Sequence, residues 1–150
     1  MVKMKLIKKV GNEKELGTNN VTIVYADRQC FERLRCKIIT EDGKEIIVNL
    51  RGISLNDGDI FETDEGKLVL IKRKPEEVIA FSLNDLSEAF KLGFELGNMH
   101  MRVMLRNNEV IIPTDMGKEL LLEKLKEHQP YTKKEVFIPN LEPTVVMINF

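Results

Sequence analysis

The sequence predicts an α+β chain in two parts: a small antiparallel β-domain over residues 1–74, then a βαββαβ sandwich domain over residues 75–150. Three observations carry that prediction. In the first half, turn signals recur roughly every 8–12 residues between short alternating runs, the rhythm of a small sandwich or barrel. Past Pro75 the rhythm changes to strand segments separated by helical repeats. The charge balance also changes sign there: residues 1–75 hold 15 basic and 12 acidic side chains (+3), and residues 76–150 hold 8 and 12 (−4). Lys72-Arg73-Lys74-Pro75-Glu76-Glu77 is the joint.

In the first half, Val21 to Tyr25 is a short strand. Arg33 to Thr40 alternates cleanly, with Leu34, Cys36 and Ile38 on one face and Arg33, Arg35 and Lys37 on the other. Glu41-Asp42-Gly43-Lys44 is a tight turn, since glycine accepts the positive φ that hairpins demand, and Glu45 to Leu50 returns as the partner strand. Asn56 to Asp59 and Asp64 to Gly66 are two more turns bracketing Ile60 and Phe61, and Lys67 to Lys72 closes the series.

The second half opens on a strand, Val78 to Ser82. A helix follows over 84–97, with Asn84 as cap, Asp85 and Glu88 at the positive end of the dipole, and Leu86, Ala89, Phe90, Gly93 and Phe94 as its buried face. Gly97 is its expected stop. Met101 to Leu105 is a strand, Arg106-Asn107-Asn108 a turn, and Glu109 to Pro113 the returning strand. Thr114 caps a second helix, Asp115 to His128, that turns Leu120, Leu121 and Leu125 inward. Lys134 to Ile138 is a last strand, and the tail from Pro139 to Phe150 is an extra edge strand or loosely held. The order is the ferredoxin-like split pattern.

Composition narrows function by exclusion. Apolar residues make up 43% and charged residues 31%, with a net charge of −1, so nothing overall recommends nucleic acid or an anionic membrane as partner. No stretch is long and apolar enough to span a bilayer, and the first residues lack the core of a secretory signal. Cys30 and Cys36 read as reduced thiols, Cys36 packed inward, which gives a cytoplasmic address. No serine or cysteine has a nearby histidine base, no glycine loop cradles phosphate, and no zinc-binding cysteine or histidine pairs occur. The sequence does not read as an enzyme.

What remains is histidine. His100 follows the first helix, at the start of the next strand, held by a rigid element. A metal ion rarely settles for one nitrogen, but a two-fold axis close to His100 would supply a second imidazole. Met99, Met101 and Met104 surround it, yet strand alternation turns Met99 and Met101 away from its face, so they read as packing rather than copper ligands. His128 reads as a dipole partner at a helix end, and Asp115 as a possible outer carboxylate.

The ordered series Arg33, Arg35, Thr40, Gly43, Glu45, Ile46, Leu50, then Leu55, Gly58, Asp59, Asp64 and Gly66, ends in Leu96-Gly97-Asn98-Met99-His100, with Asp115 following Glu109. Over about residues 28–138 it resembles the UreE family of urease accessory proteins. The resemblance implies a β-domain similar to a chaperone peptide-binding module, followed by a ferredoxin-like metal-binding domain. It implies a homodimer through the second domain, with paired His100 imidazoles holding nickel (zinc or copper in its place), and delivery of that nickel to urease together with other accessory proteins including a GTPase. Two departures stand out. Met99 takes the place where the family commonly has arginine, and residues 129–150 contain no histidine where many members have a histidine-rich tail. The rival expectation is a metal-free interaction module whose β-domain adds a strand from a partner at its edge.

Overall fold

The computed structural model describes residues 3–143 apart from Thr18, Leu34 and Leu50. The chain divides into two compact units, Met1–Lys74 and Pro75–Phe150.

The first unit comprises β1 (Lys3–Asn12), α1 (Glu13–Leu16), β2 (Val21–Ala26), α2 (Arg28–Glu32), β3 (Arg35–Ile39), β4 (Glu45–Asn49), β5 (Asp59–Thr63) and β6 (Leu68–Arg73). The strands form one six-stranded sheet in the order β2-β6-β5-β1-β4-β3. The hairpins lie where the turn residues placed them. Gly43, at φ 83°, sits in the turn where Thr40 accepts from the Gly43 N–H and donates to the Lys44 carbonyl. Alternate residues of the strands, among them Val24, Ile38, Ile46, Val48, Phe61, Val69 and Ile71, point into a single buried cluster. Each such side chain removed from water contributes roughly 1.5–3 kcal/mol.

Three expectations change here. The sheet is mixed rather than antiparallel: β1 runs parallel to β4, and β2 parallel to β6. Parallel partners are joined by long connections, so no turn signal announces them. The sequence expectations include no strand at β1, although Lys3, Met4, Lys5 and Leu6 alternate exposed and inward. Cys30 and Cys36 are not free thiols but a disulfide, with their Cα atoms 5.4 Å apart. The short helix α2 brings Cys30 beside the strand that carries Cys36. Leu34 and Leu50, assigned to strands by pattern, lie outside the described residues.

The second unit comprises β7 (Glu76–Ser82), α3 (Leu86–Asn98), β8 (Met104–Arg106), β9 (Glu109–Pro113), α4 (Lys118–Lys124), a 3-10 turn (Lys126–His128) and β10 (Tyr131–Glu135). Its element order is β-α-β-β-α-β, and its four-stranded antiparallel sheet runs β10-β7-β9-β8. One face of the sheet (Ile79, Phe81, Val110, Ile112) packs under Leu92, Leu96, Leu121 and Leu125 of the helices; Val78, Ala80 and Ile111 on the other meet Met104 and Phe137.

The helices differ from their predicted form. Asp85, not Asn84, caps α3, accepting from the Ser87 N–H at 2.8 Å. The second helix begins three residues late: Gly117 is its N-cap, and the Thr114 hydroxyl instead donates to the Glu77 carbonyl at 3.5 Å. Leu120 is exposed while Leu121 and Leu125 are buried. The final strand also lies a few residues earlier than predicted. In the tail, Asn140 both donates to and accepts from the backbone of Leu105, each at 2.8 Å, and Leu141 bridges to Val103. Residues 144–150 lie outside the described residues. No helix among the described residues is long and apolar enough to cross a membrane.

Candidate metal centre

His100 is not on a strand. It occupies the left-handed position that closes α3, with φ 54°. The Met101 N–H donates back to the Leu96 carbonyl and the His100 N–H to the Gly97 carbonyl, each at 3.1 Å. Those two bonds, with Met101 and Leu96 buried in one cluster, make a Schellman cap. Glycine normally fills the left-handed position; here Gly97, the expected stop, lies inside the helix. A residue with a Cβ costs about 1–2 kcal/mol in that conformation, and the surrounding bonds hold it. The cap fixes the His100 backbone and leaves its ring exposed.

The helix leading to it buries a neighbouring arc rather than the one expected. Leu92 and Leu96 face the core, whereas Leu86, Phe90 and Phe94 are 91%, 73% and 64% exposed. Gly93 and Gly97 complete that outward stripe at helical spacing, and a Cβ built on either meets nothing within 4 Å. The helix has two adjacent apolar arcs, and periodicity cannot say which one the chain's own core takes. The rings of Phe90 and Phe94 lie 6.2 Å apart. His100 therefore stands at the end of a solvent-facing apolar stripe that contains two glycines.

Beside that end lies a groove of about 580 Å³, walled by Gly93, Gly97, Leu105, Val110 and Leu141, with His100 and Glu142 as its ionisable residues. Glu142 pairs with the Arg102 Nε at 3.6 Å. No local pattern singled Glu142 out, because its place depends on Asn140 pinning the chain beside β8.

The other predicted candidates sort differently. Met101 and Met104 are buried and Met99 packs partly against the same core as Met101, in keeping with a packing role. His128, in the 3-10 turn, donates from Nε2 to Glu95 Oε2 at 2.8 Å and meets the Phe81 ring edge-on at 6.5 Å, so it ties that turn to α3. Asp115 is exposed in the turn before α4. No group of three or more His, Cys, Asp or Glu side chains placed to hold a metal occurs among the described residues. One chain thus offers His100 as a single presented imidazole.

No family model matches the sequence. Among known proteins, the chain is 28% identical over 131 residues (87% of this chain, 88% of the relative) to the urease accessory protein UreE of Lysinibacillus sphaericus strain C3-41. It is 36% identical to the protein of the same name from Prochlorococcus marinus strain AS9601, over 69% of this chain and 71% of the relative. The corresponding protein of Bacillus cereus strain ATCC 10987 is also 36% identical, over 69% and 68%. These relatives are accessory proteins, and the chain is accordingly an accessory protein rather than an enzyme. It belongs to the UreE family.

Proposed function

We propose that the chain is a nickel metallochaperone that delivers its ion to urease during active-site assembly. The observation that carries this reading is the placement of His100: held in a costly left-handed cap, exposed, and at the end of an uncovered apolar stripe. The second unit, a ferredoxin-like domain in this reading, dimerises through Leu86, Phe90 and Phe94. Gly93 and Gly97 let two such helices approach closely, and an axis near His100 makes two imidazoles into one site. Nickel is cargo here, not a resident cofactor. Imidazole suits it, with zinc as a competitor, whereas the packed methionines offer copper(I) no thioether. Two protein nitrogens leave positions open for water and for exchange with a recipient. A protonated imidazole cannot ligate, so affinity falls on acidification.

The first unit is the docking module in this proposal, for apo-urease and for other accessory proteins including the GTPase. A metal-free role through that unit is the second reading, favoured by the exposed Ile23, Tyr25 and Ile39 on its end strands. Titration calorimetry with nickel on the dimer and on His100→Ala tests the main reading. Uptake of about one ion per dimer, lost in the variant, is expected; undiminished uptake would remove the site. Capture of urease components by the His100→Ala protein, with and without nickel, would favour the second reading.

A further inference from the structure

We infer that the two end strands of the first unit form a slot that accepts an extended acidic and apolar segment of a partner protein as an added β-strand. This rests on the docking reading of that unit and names the kind of segment it takes.

β2 and β3 lie at opposite ends of the six-stranded order, and each has one partner strand. Yet both line the same two cavities, of about 420 and 440 Å³, which share Tyr25, Ile39 and Lys74. The sheet therefore curls until its two ends face each other across a gap, without pairing among the described residues. Each end carries a row of outward N–H and C=O groups, a template for a further strand. A chain entering the gap could pair on both sides.

The side chains say what such a chain carries. Unpaired edges are ordinarily blunted by charge or proline, and Arg35 and Lys37 on β3 could serve that purpose. That explanation does not cover Ile23, Tyr25 and Ile39, three large apolar side chains left exposed on the gap. At one end the slot is cationic: Arg33, Arg35, Lys37 and Lys74 line the first cavity, where Asp27 is the one carboxylate among the described residues, whereas the second cavity sets Glu41 and Asp42 beside Lys44 and Lys67. Lys37 is already paired with Glu45 at 3.2 Å. The Cys30–Cys36 bridge ties the short loop bearing Arg33 to β3, which holds these cations at the slot mouth. An extended segment alternates its side chains between two faces. One with apolar residues for Ile23, Tyr25 and Ile39, and carboxylates for Arg33, Arg35 and Lys74, matches both features.

The test uses the full chain and a short, capped, fluorescent peptide of alternating valine and glutamate, followed by anisotropy. The expected result is saturable binding, with slowed amide exchange in 21–26 and 35–39. Arg33→Glu combined with Arg35→Glu should weaken it about tenfold or more, and Ile39→Ser should weaken it separately. All three residues are exposed, so both variants should keep the parent unfolding curve and the same nickel uptake at His100. A valine and lysine peptide should not bind. No binding of the acidic peptide overturns the inference, as does equal binding of polyglutamate or a short single-stranded oligonucleotide, or binding without protection of both end strands. If urease components dock on the first unit while the peptide fails, the inference falls and the docking reading stands.

Discussion

The Met101 backbone N–H reaches back to the Leu96 carbonyl, 3.1 Å away, and the residue that makes this reversal possible is His100 at φ 54°. Both flanking side chains are buried, so the reversal is locked from within while the imidazole stays outside. A stability-optimised cap would use glycine. His100→Gly is therefore expected to stabilise the second unit by about 1 kcal/mol, because it relieves the Cβ penalty while the two cap bonds remain. The same change should abolish nickel uptake. Urea denaturation with calorimetry on one preparation checks both, and a destabilised His100→Gly protein would mean that the ring itself supports the cap.

The outward stripe predicts opposite effects on monomer and assembly. Gly93 lies in mid-helix with open space around it, so Gly93→Leu should stabilise an isolated chain by up to about 1 kcal/mol through helix propensity. In a dimer joined on that face, the added side chain holds the helices apart. Sedimentation equilibrium should show a monomer more resistant to urea, with Phe90→Ser dissociating the dimer in the same way. A dimer that survives both changes must use another face.

The residues that could be read in advance were those with a local physical signature. Gly43 marked its hairpin, the βαββαβ order followed from alternating periods, and the place of His100 just past a helix end followed from the helical repeat before it. The misreadings share a cause, since each depended on partners distant in sequence. Which arc of α3 is buried depends on where the sheet lies, so Leu86, Phe90 and Phe94 were assigned inward. The parallel pairings of β1 and β2 leave no turn to find. The left-handed state of His100 was hidden because Gly97, three residues earlier, offered a more ordinary stop. Glu142 reaches the groove through Asn140, whose pairing with Leu105 no periodicity reveals.

The Cys30–Cys36 bridge closes a very short loop, and cross-linking a loop of that size stabilises by roughly 2 kcal/mol in the chain-entropy model. Reduction should lower the stability of the first unit by about that amount and leave the second unchanged. Thermal unfolding followed separately in the two units, with and without a thiol reductant, would show it. Equal losses in both would assign the effect to something other than this bridge.

Glu109 contributes to the acid dependence of the second unit, as does Glu135 beside it, which, against the upward push of burial, Arg106 and Lys133 also hold below the usual carboxylate range. Its carboxylate accepts from the Tyr131 hydroxyl, from Lys133 Nζ at 2.9 Å to each oxygen, and from Arg106 Nη2 at 2.9 Å. The Tyr131 hydrogen bond first, then those of Lys133 and Arg106, lower its pKa to about 2. A carboxylate whose pKa is depressed on folding contributes stability above its unfolded value, near 4.5, and loses it as pH falls toward 2. The cluster lies at the rim of the sheet, where water and salt screen it, so the contribution is about 1 kcal/mol rather than the full linkage value. Glu109→Gln should remove that increment at neutral pH and flatten the stability profile between pH 4.5 and 2. Raising ionic strength should shrink the difference between the two proteins. A profile of unchanged slope in Glu109→Gln would place the acid sensitivity on a different carboxylate.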